Sequence, residues 1–430
     1  MTYSQKSREA LREEFDCLLS AYHTYRESGL SLDLSRGKPN GEQLDLSDAL
    51  LDFPLLPEGV TARDGTDCRN YGAFDGLPEM KELLGGIYGV DPHRIFVGGN
   101  SSLQLMYDAI ARAMLFGVPG GTPWVLEPKR KWICVVPGYD RHFRVTEEFG
   151  FELLSVPMLR DGPDMDAVER LVKDPTVKGI WCVPKYSNPT GNTYSDETVR
   201  RLVAMETGAR DFRIFWDNAY GIHDFGTQGD TLADVFSVAK AYGREDRILY
   251  FASTSKITFP GGGVAMVAAS ERNLEDIRRR VGVKTIGYDK INQLRHIRYF
   301  RNPEAVREHM RLVGAAIGEK FAIALSELAA LDGCGIAEYT RPKGGYFISL
   351  DVLPGTAGRV YDLTRKAGVT LTTAGATYPY GTDPEDKNLR LAPTYPKNDD
   401  LRLAMKILVV AVKIAAIEKL LQTKDSAFEM

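Results

Sequence analysis

Along residues 4–28 the apolar positions Leu11, Phe15, Leu18 or Leu19, Tyr22 and Tyr25 recur at three- and four-residue steps, the stripe of an amphipathic helix. From about residue 46 the pattern changes. Short, continuously apolar runs (RIFVGG, KWICVVPG, VKGIWCVP, FRIFWDN, RILYFAST) alternate with longer amphipathic segments as far as residue 299. Runs apolar on both faces suit strands of a mostly parallel sheet covered by helices. After residue 300 the order becomes a long helix over 304–331, two strand-like pieces around RPKGGYFISLDV, a helix, the strand NLRLAPTYP and a terminal helix from 398. The pattern predicts an α/β protein with a large domain at 46–299 and a smaller α+β domain made of 1–45 and 300–430.

Composition narrows the function classes. With 430 residues, 26% charged and a formal net charge of -4, the chain shows no basic excess that would select nucleic acid or an anionic membrane. Its longest apolar run, 407–417, contains Lys413 and is shorter than the ~20 residues of a membrane span. The N-terminal stretch is charged and lacks an apolar signal core, so the expected location is the cytoplasm. Cys17, Cys68, Cys134, Cys182 and Cys334 are scattered singly, and the six histidines form no paired motif. Neither a disulfide framework nor a sequence-local metal site is expected.

Several apolar runs end in small or polar clusters: GGNSS, PGYDRHF, PKYSNPTG, DNAYG and STSK. Ligands of open α/β sheets bind outside the carboxyl ends of the strands, so these clusters point to one pocket. Lys256 in FASTSKITFPGGGVAM stands at the end of a buried strand, where partial desolvation exposes a nucleophilic amine of the kind Schiff-base chemistry needs; taken alone it could be a solvated loop lysine. Asp217 ends FRIFWD and either caps the next segment or meets a cationic partner such as a pyridinium nitrogen. SNPTG reads as a turn, and GGNSS as a strand-to-helix junction whose free N–H groups can hold an anion.

Taken in order, NYGAFDGLPEMKELL, GGNSSL, PGYDRHF, NPTG, DNAY, STSK and LRLAPTY resemble the fold-type I, pyridoxal-phosphate-dependent aminotransferases of the aspartate aminotransferase family, over about residues 30–396. SRGKPN and SKITFPGGGVA look closest to type Ic aspartate aminotransferases and the aminotransferase domain of MocR-like proteins. The resemblance implies a large domain with a mostly parallel seven-stranded sheet. It implies pyridoxal 5′-phosphate held covalently on Lys256, which also shuttles the α-carbon proton. Asp217 would pair with the pyridine nitrogen, Asn188 and Tyr220 would bond the ring's phenolic oxygen, and Tyr139 would stack on the ring. Gly99, Asn100, Ser101 and Ser253 would contact the phosphate, as would Tyr71 from the neighbouring subunit of a homodimer. Gly37, Asn188 and Arg390 would hold the substrate α-carboxylate.

One position departs from the family pattern: Val264 stands where relatives carry an arginine that neutralises the phosphate. Ser253, Ser255 and the backbone N–H groups of the glycine run are the candidate compensating groups, and a basic side chain from elsewhere could also serve. Lys290, Arg295 and Arg69 lie in regions that could supply a cation for a second substrate carboxylate. The expected reaction moves an amino group from an L-amino acid, aspartate or glutamate, to a 2-oxo acid by a ping-pong route. The alternatives are a lyase or decarboxylase using the same cofactor, and a silent cofactor-binding sensor. Fewer than 40 residues precede SRGKP, too few for the DNA-binding module of MocR-like regulators, so no nucleic-acid partner is expected.

Overall fold

The computed structural model describes residues 2–428. Its strands are β1 (Leu32–Asp33), β2 (Ile95–Val97), β3 (Lys131–Val136), β4 (Glu152–Leu159), β5 (Gly162–Pro163), β6 (Val177–Cys182), β7 (Arg213–Asp217), β8 (Ile248–Ser253), β9 (Ala265–Ala269), β10 (Ala337–Tyr339), β11 (Ile348–Val352), β12 (Val369–Thr370) and β13 (Asn388–Leu391). Eight form one sheet in the order β2-β9-β8-β7-β6-β3-β4-β5. From β8 to β4 the neighbours are parallel, whereas β9 runs antiparallel to β8 and β2, and β5 antiparallel to β4. The sheet is mostly parallel, with eight strands rather than seven. Two-residue β5 folds back on the edge strand and is too short to leave a periodicity in the sequence.

Successive side chains of a strand point to opposite faces, and here each face meets its own core. Along β3, Ile133 and Val135 enter one buried cluster while Trp132, Cys134 and Val136 enter the other; along β7, Ile214 and Trp216 oppose Phe215 in the same way. That is why β6, β7 and β8 are buried at every position and read as mainly apolar runs without alternation. Near the sheet edge, β4 alternates between buried and more exposed positions.

A second, antiparallel sheet has the order β10-β11-β13, and β1 pairs with β12. The first helix is Arg8–Glu27, started by Ser7, whose side chain accepts from the Ala10 N–H. Its stripe buries Leu11 and Tyr22 and packs Phe15, Leu18, Leu19 and Tyr25 against the core. The long helix Pro303–Leu328 has Asn302 as its cap and proline in its first turn, and ends in the 3-10 turn Ala329–Leu331. The terminal helix is Asn398–Phe428. Among the described residues no helix is long and apolar enough to cross a membrane.

Candidate active site

β2, β3, β6, β7 and β8 run in the same direction, so their carboxyl ends bring residues 98–101, 137–139, 185–188, 217–220 and 253–256 to one side of the sheet. Lys256 follows β8, and its Nζ stands 4.9 Å from the centre of the Tyr220 ring. Burial lowers the pKa of its ammonium, and the negative charge of Asp217 opposes that shift. The amine is therefore more available as a nucleophile than that of a solvated lysine.

Asp217 is 3% exposed. One carboxylate oxygen, Oδ2, lies 3.0 Å from Nε2 of His142, while Oδ1 is buried with no hydrogen-bond partner among the described residues. Leaving a buried acceptor unsatisfied costs about 1–3 kcal/mol, more for a charged group. A ligand carrying a protonated ring nitrogen would satisfy it. His142 is itself fixed by stacking on Trp181, with centroids 4.5 Å apart and planes at 13°, and by the edge-on ring of Tyr139 at 4.9 Å. Burial, with the nearby Asp140 and Asp217 charges, pushes the Tyr139 hydroxyl up to about 12. Tyr220 is raised chiefly by burial.

Arg390 reaches the same site from β13. It is 8% exposed, and its Nη1 donates to Asp140 Oδ1 at 2.7 Å and to Asn188 Oδ1 at 3.4 Å. Its guanidinium lies 5.1 Å from the centre of the Phe347 ring. Gly37 closes against the same ring: a Cβ at Gly37 would stand 2.0 Å from Phe347 Cζ, so no other residue fits without displacing Phe347. Gly37, Asn188 and Arg390 are thus gathered as one group.

At the opposite end, Ser255 Oγ donates to the Asn100 carbonyl at 2.9 Å, and Ser253 Oγ donates to Ser255 Oγ at 3.1 Å. Gly99 has φ +65°, and its carbonyl accepts from Ala265 N–H at 3.0 Å. Ser101 precedes the helix Ser102–Phe116 without capping it through its side chain, so the first-turn N–H groups are left for an anion. A Cβ at Gly263 would meet Ser255 Oγ at 3.0 Å and the Asn100 carbonyl at 3.1 Å, so this cup is formed by close backbone approach. The residues present fit pyridoxal phosphate at both of its polar ends: an orphaned carboxylate oxygen at one, a hydroxyl and N–H cradle at the other.

Val264 is 2% exposed and belongs to the larger buried cluster, its N–H bonded to Thr254 Oγ1 at 2.9 Å. Tyr71 is 77% exposed, and no hydrogen bond or ring contact ties its side chain to the cluster among the described residues. The three proposed side-chain cations are not gathered at Arg390. Lys290 is buried near Gly287, Arg69 is paired with Asp67 at 2.7 Å on the surface, and Arg295 Nε is buried without a partner among the described residues. Sequence reasoning missed Asp140 and His142, which flank Arg141 in PGYDRHF directly after Tyr139; their place at a strand end was the available signal. It also missed Phe347, which had no such signal.

The family described as aspartate amino-transferase matches residues 6–424. An aspartate aminotransferase of Corynebacterium glutamicum is 47% identical over 412 residues, covering 95% of this chain and 94% of that protein. The crystal structure of an aspartate transaminase from the same organism superposes with a TM-score of 0.95 at 44% identity, covering 98% of this chain and 99% of the other. An alpha-aminoadipate aminotransferase of Thermus thermophilus, solved with N-(5′-phosphopyridoxyl)-L-leucine, shares the fold at 20% identity and a TM-score of 0.70, over 94% of this chain and 95% of that one.

Proposed function

The chain belongs to the aspartate aminotransferase family, and from that premise we propose that it transfers an amino group from L-aspartate or L-glutamate to a 2-oxo acid in two half-reactions. The observation that carries the site assignment is the buried Asp217 Oδ1, without a hydrogen-bond partner among the described residues, on a carboxylate whose charge acts on the amine of Lys256. Pyridoxal phosphate, which Lys256 would hold covalently until the substrate's amino group displaces the lysine, would supply an electron sink beside the substrate α-carbon. Asp217, held by His142, would keep the pyridine nitrogen protonated. Tyr139 would cover one face of the ring, and Asn188 and Tyr220 would bond its phenolic oxygen. Gly99, Asn100, Ser101, Ser253 and Ser255 hold the phosphate, with backbone N–H groups supplying what an arginine at 264 would have given. Gly37, Asn188 and Arg390 fix the substrate α-carboxylate, so that the α-hydrogen stands where the Lys256 amine removes it and returns it.

In this reading residues 46–299 form the cofactor-binding domain and residues 1–45 with 300–430 the smaller one. The working unit is a cytoplasmic homodimer in which Tyr71, exposed in the single chain, reaches the phosphate of the neighbouring subunit. Adding pyridoxal phosphate to the purified protein is expected to give a visible absorbance band that Lys256→Ala abolishes. Incubation with aspartate and 2-oxoglutarate is expected to yield glutamate. A protein that stays colourless overturns the cofactor assignment; one that forms the band but makes pyruvate or ammonia instead of glutamate overturns the transfer.

A further inference from the structure

Lys256 lies in a tight turn in which the N–H groups of Ile257 and Thr258 both donate to the Thr254 carbonyl, at 2.9 and 2.8 Å. Three histidines from three separate segments bear on this turn. His223, in the loop after β7, has Nε2 3.3 Å from the Lys256 carbonyl oxygen. His309, in the helix Pro303–Leu328, has Nε2 2.8 Å from the Ile257 carbonyl oxygen and 3.4 Å from Ser47 Oγ. His296, in the helix Lys290–Phe300, has Nε2 3.0 Å from Thr258 Oγ1 and 3.3 Å from Thr254 Oγ1, and Nδ1 2.9 Å from the Asn292 carbonyl oxygen. All three are buried. Half of the chain's six histidines thus converge on five consecutive residues.

The partners assign the tautomers. A carbonyl only accepts, so His223 and His309 carry their hydrogen on Nε2. His296 donates from Nδ1 to Asn292, and its Nε2 accepts from the threonine hydroxyls. This last arrangement needs a neutral ring. Burial keeps all three neutral, lowering His223 to about 3, with the charge of Lys256 adding to the effect, His296 to about 4, and His309 below its usual range. Histidines that merely fill a core would spread their bonds over unrelated partners; these bond the carbonyls of Lys256 and its successor and the two threonines that bracket them. Thr254 in turn holds Val264 through two bonds of 2.9 Å, tying the same turn to the glycine run.

We propose that His223, His296 and His309 are positioning residues that fix the backbone of the Lys256 turn and so aim the amine at its place above Tyr220 and near Asp217. The inference rests on the reading of Lys256 as the reactive amine. A lysine has four side-chain torsions, so its reach is accurate only if its own main chain is immobile, and a misplacement of about 1 Å can cost on the order of 10²-fold in rate.

Glutamine and asparagine separate this role from space filling, because the glutamine amide nitrogen overlies Nε2 and that of asparagine overlies Nδ1. His309→Gln and His223→Gln are expected to leave the visible band and turnover near wild type. His309→Asn and His223→Asn are expected to move the apparent pKa of the band and to lower kcat about tenfold with KM unchanged. In the cofactor-free protein the asparagine variants should also speed hydrogen exchange at the Ile257 and Thr258 amides, a measurement that needs no turnover. Should His309→Asn not fold, the His223 pair makes the same comparison at the Lys256 carbonyl. Glutamine and asparagine variants that behave alike in exchange and in kcat overturn the proposal. A wild-type protein that forms no band at all overturns the cofactor reading instead, and the exchange rates then decide the clamp by themselves.

Discussion

At Lys256 the chain is held by hydrogen bonds between neutral, buried groups, whereas Arg390 is held by an ion pair with Asp140, whose side chain is 30% exposed. The first set has no competitor in solution, because neither water nor a charged ligand replaces a buried imidazole at a carbonyl. The second does: an incoming carboxylate has the same chemistry as Asp140 and can share or take its place, and a partly exposed ion pair holds weakly. The amine end is therefore a fixed station and the arginine end an exchangeable one, which matches the roles proposed for them: chemistry every cycle at the first, binding and release at the second.

The strongest break in this contrast is Lys256→Ala, which should lower turnover by about 10⁴-fold or more, since general acid–base catalysis alone contributes up to that order. Glutamate formation from aspartate and 2-oxoglutarate measures it. Asp217→Ala comes next, with a loss on the order of 10²–10³-fold in kcat, because His142 then faces an empty acceptor position and the ring nitrogen loses its counter-charge. Arg390→Leu should cut kcat/KM by roughly 30-fold or more, about 2 kcal/mol, with most of the effect in KM. Asp140→Asn sharpens the comparison from the other side. Relieved of its internal competitor, Arg390 should bind a dicarboxylate inhibitor a few-fold more tightly, a shift of about 0.5–1 kcal/mol readable by titration.

Acid separates the stations in another way. His223 and His296 titrate at about 3 and about 4 in the folded chain, below the ordinary value of 6.5. Between pH 6.5 and those values the unfolded chain binds protons that the folded chain refuses, so stability falls as pH drops, by up to about 1.4 kcal/mol per pH unit for each group. Above pH 6.5 neither state is charged at these rings and the dependence vanishes. Denaturant melts at pH 4.5 and 7.5 should show this loss, and His223→Gln should reduce it.

The parts legible in the sequence are those whose cause is local. Strands β3, β6, β7 and β8 were readable because both of their faces are covered. β9 was not, since AMVAA is short and follows a glycine run, and β4 alternates in burial as an edge strand does. Lys256, Asp217, Asn188 and Arg390 stand within motifs whose order along the chain is informative. Asp140 and His142 sit in the first turn of the helix Asp140–Glu148, where an acidic residue is commonplace, so only tertiary contact shows what they hold. The histidine clamp had still less to announce it: His223, His296 and His309 share no motif spacing, and their common target appears only when two helices and a loop have packed.

The bond between Arg390 and Asp140 joins positions 250 residues apart, and the one to Asn188 spans 202. At roughly 5–20 residues per second, a ribosome needs on the order of 12–50 s to pass from one end of that first pair to the other. During that interval Asp140, and then Asn188, wait without the guanidinium that both accept from in the finished fold. That contact is therefore one that folding can complete only after the segment carrying Lys256 has been made.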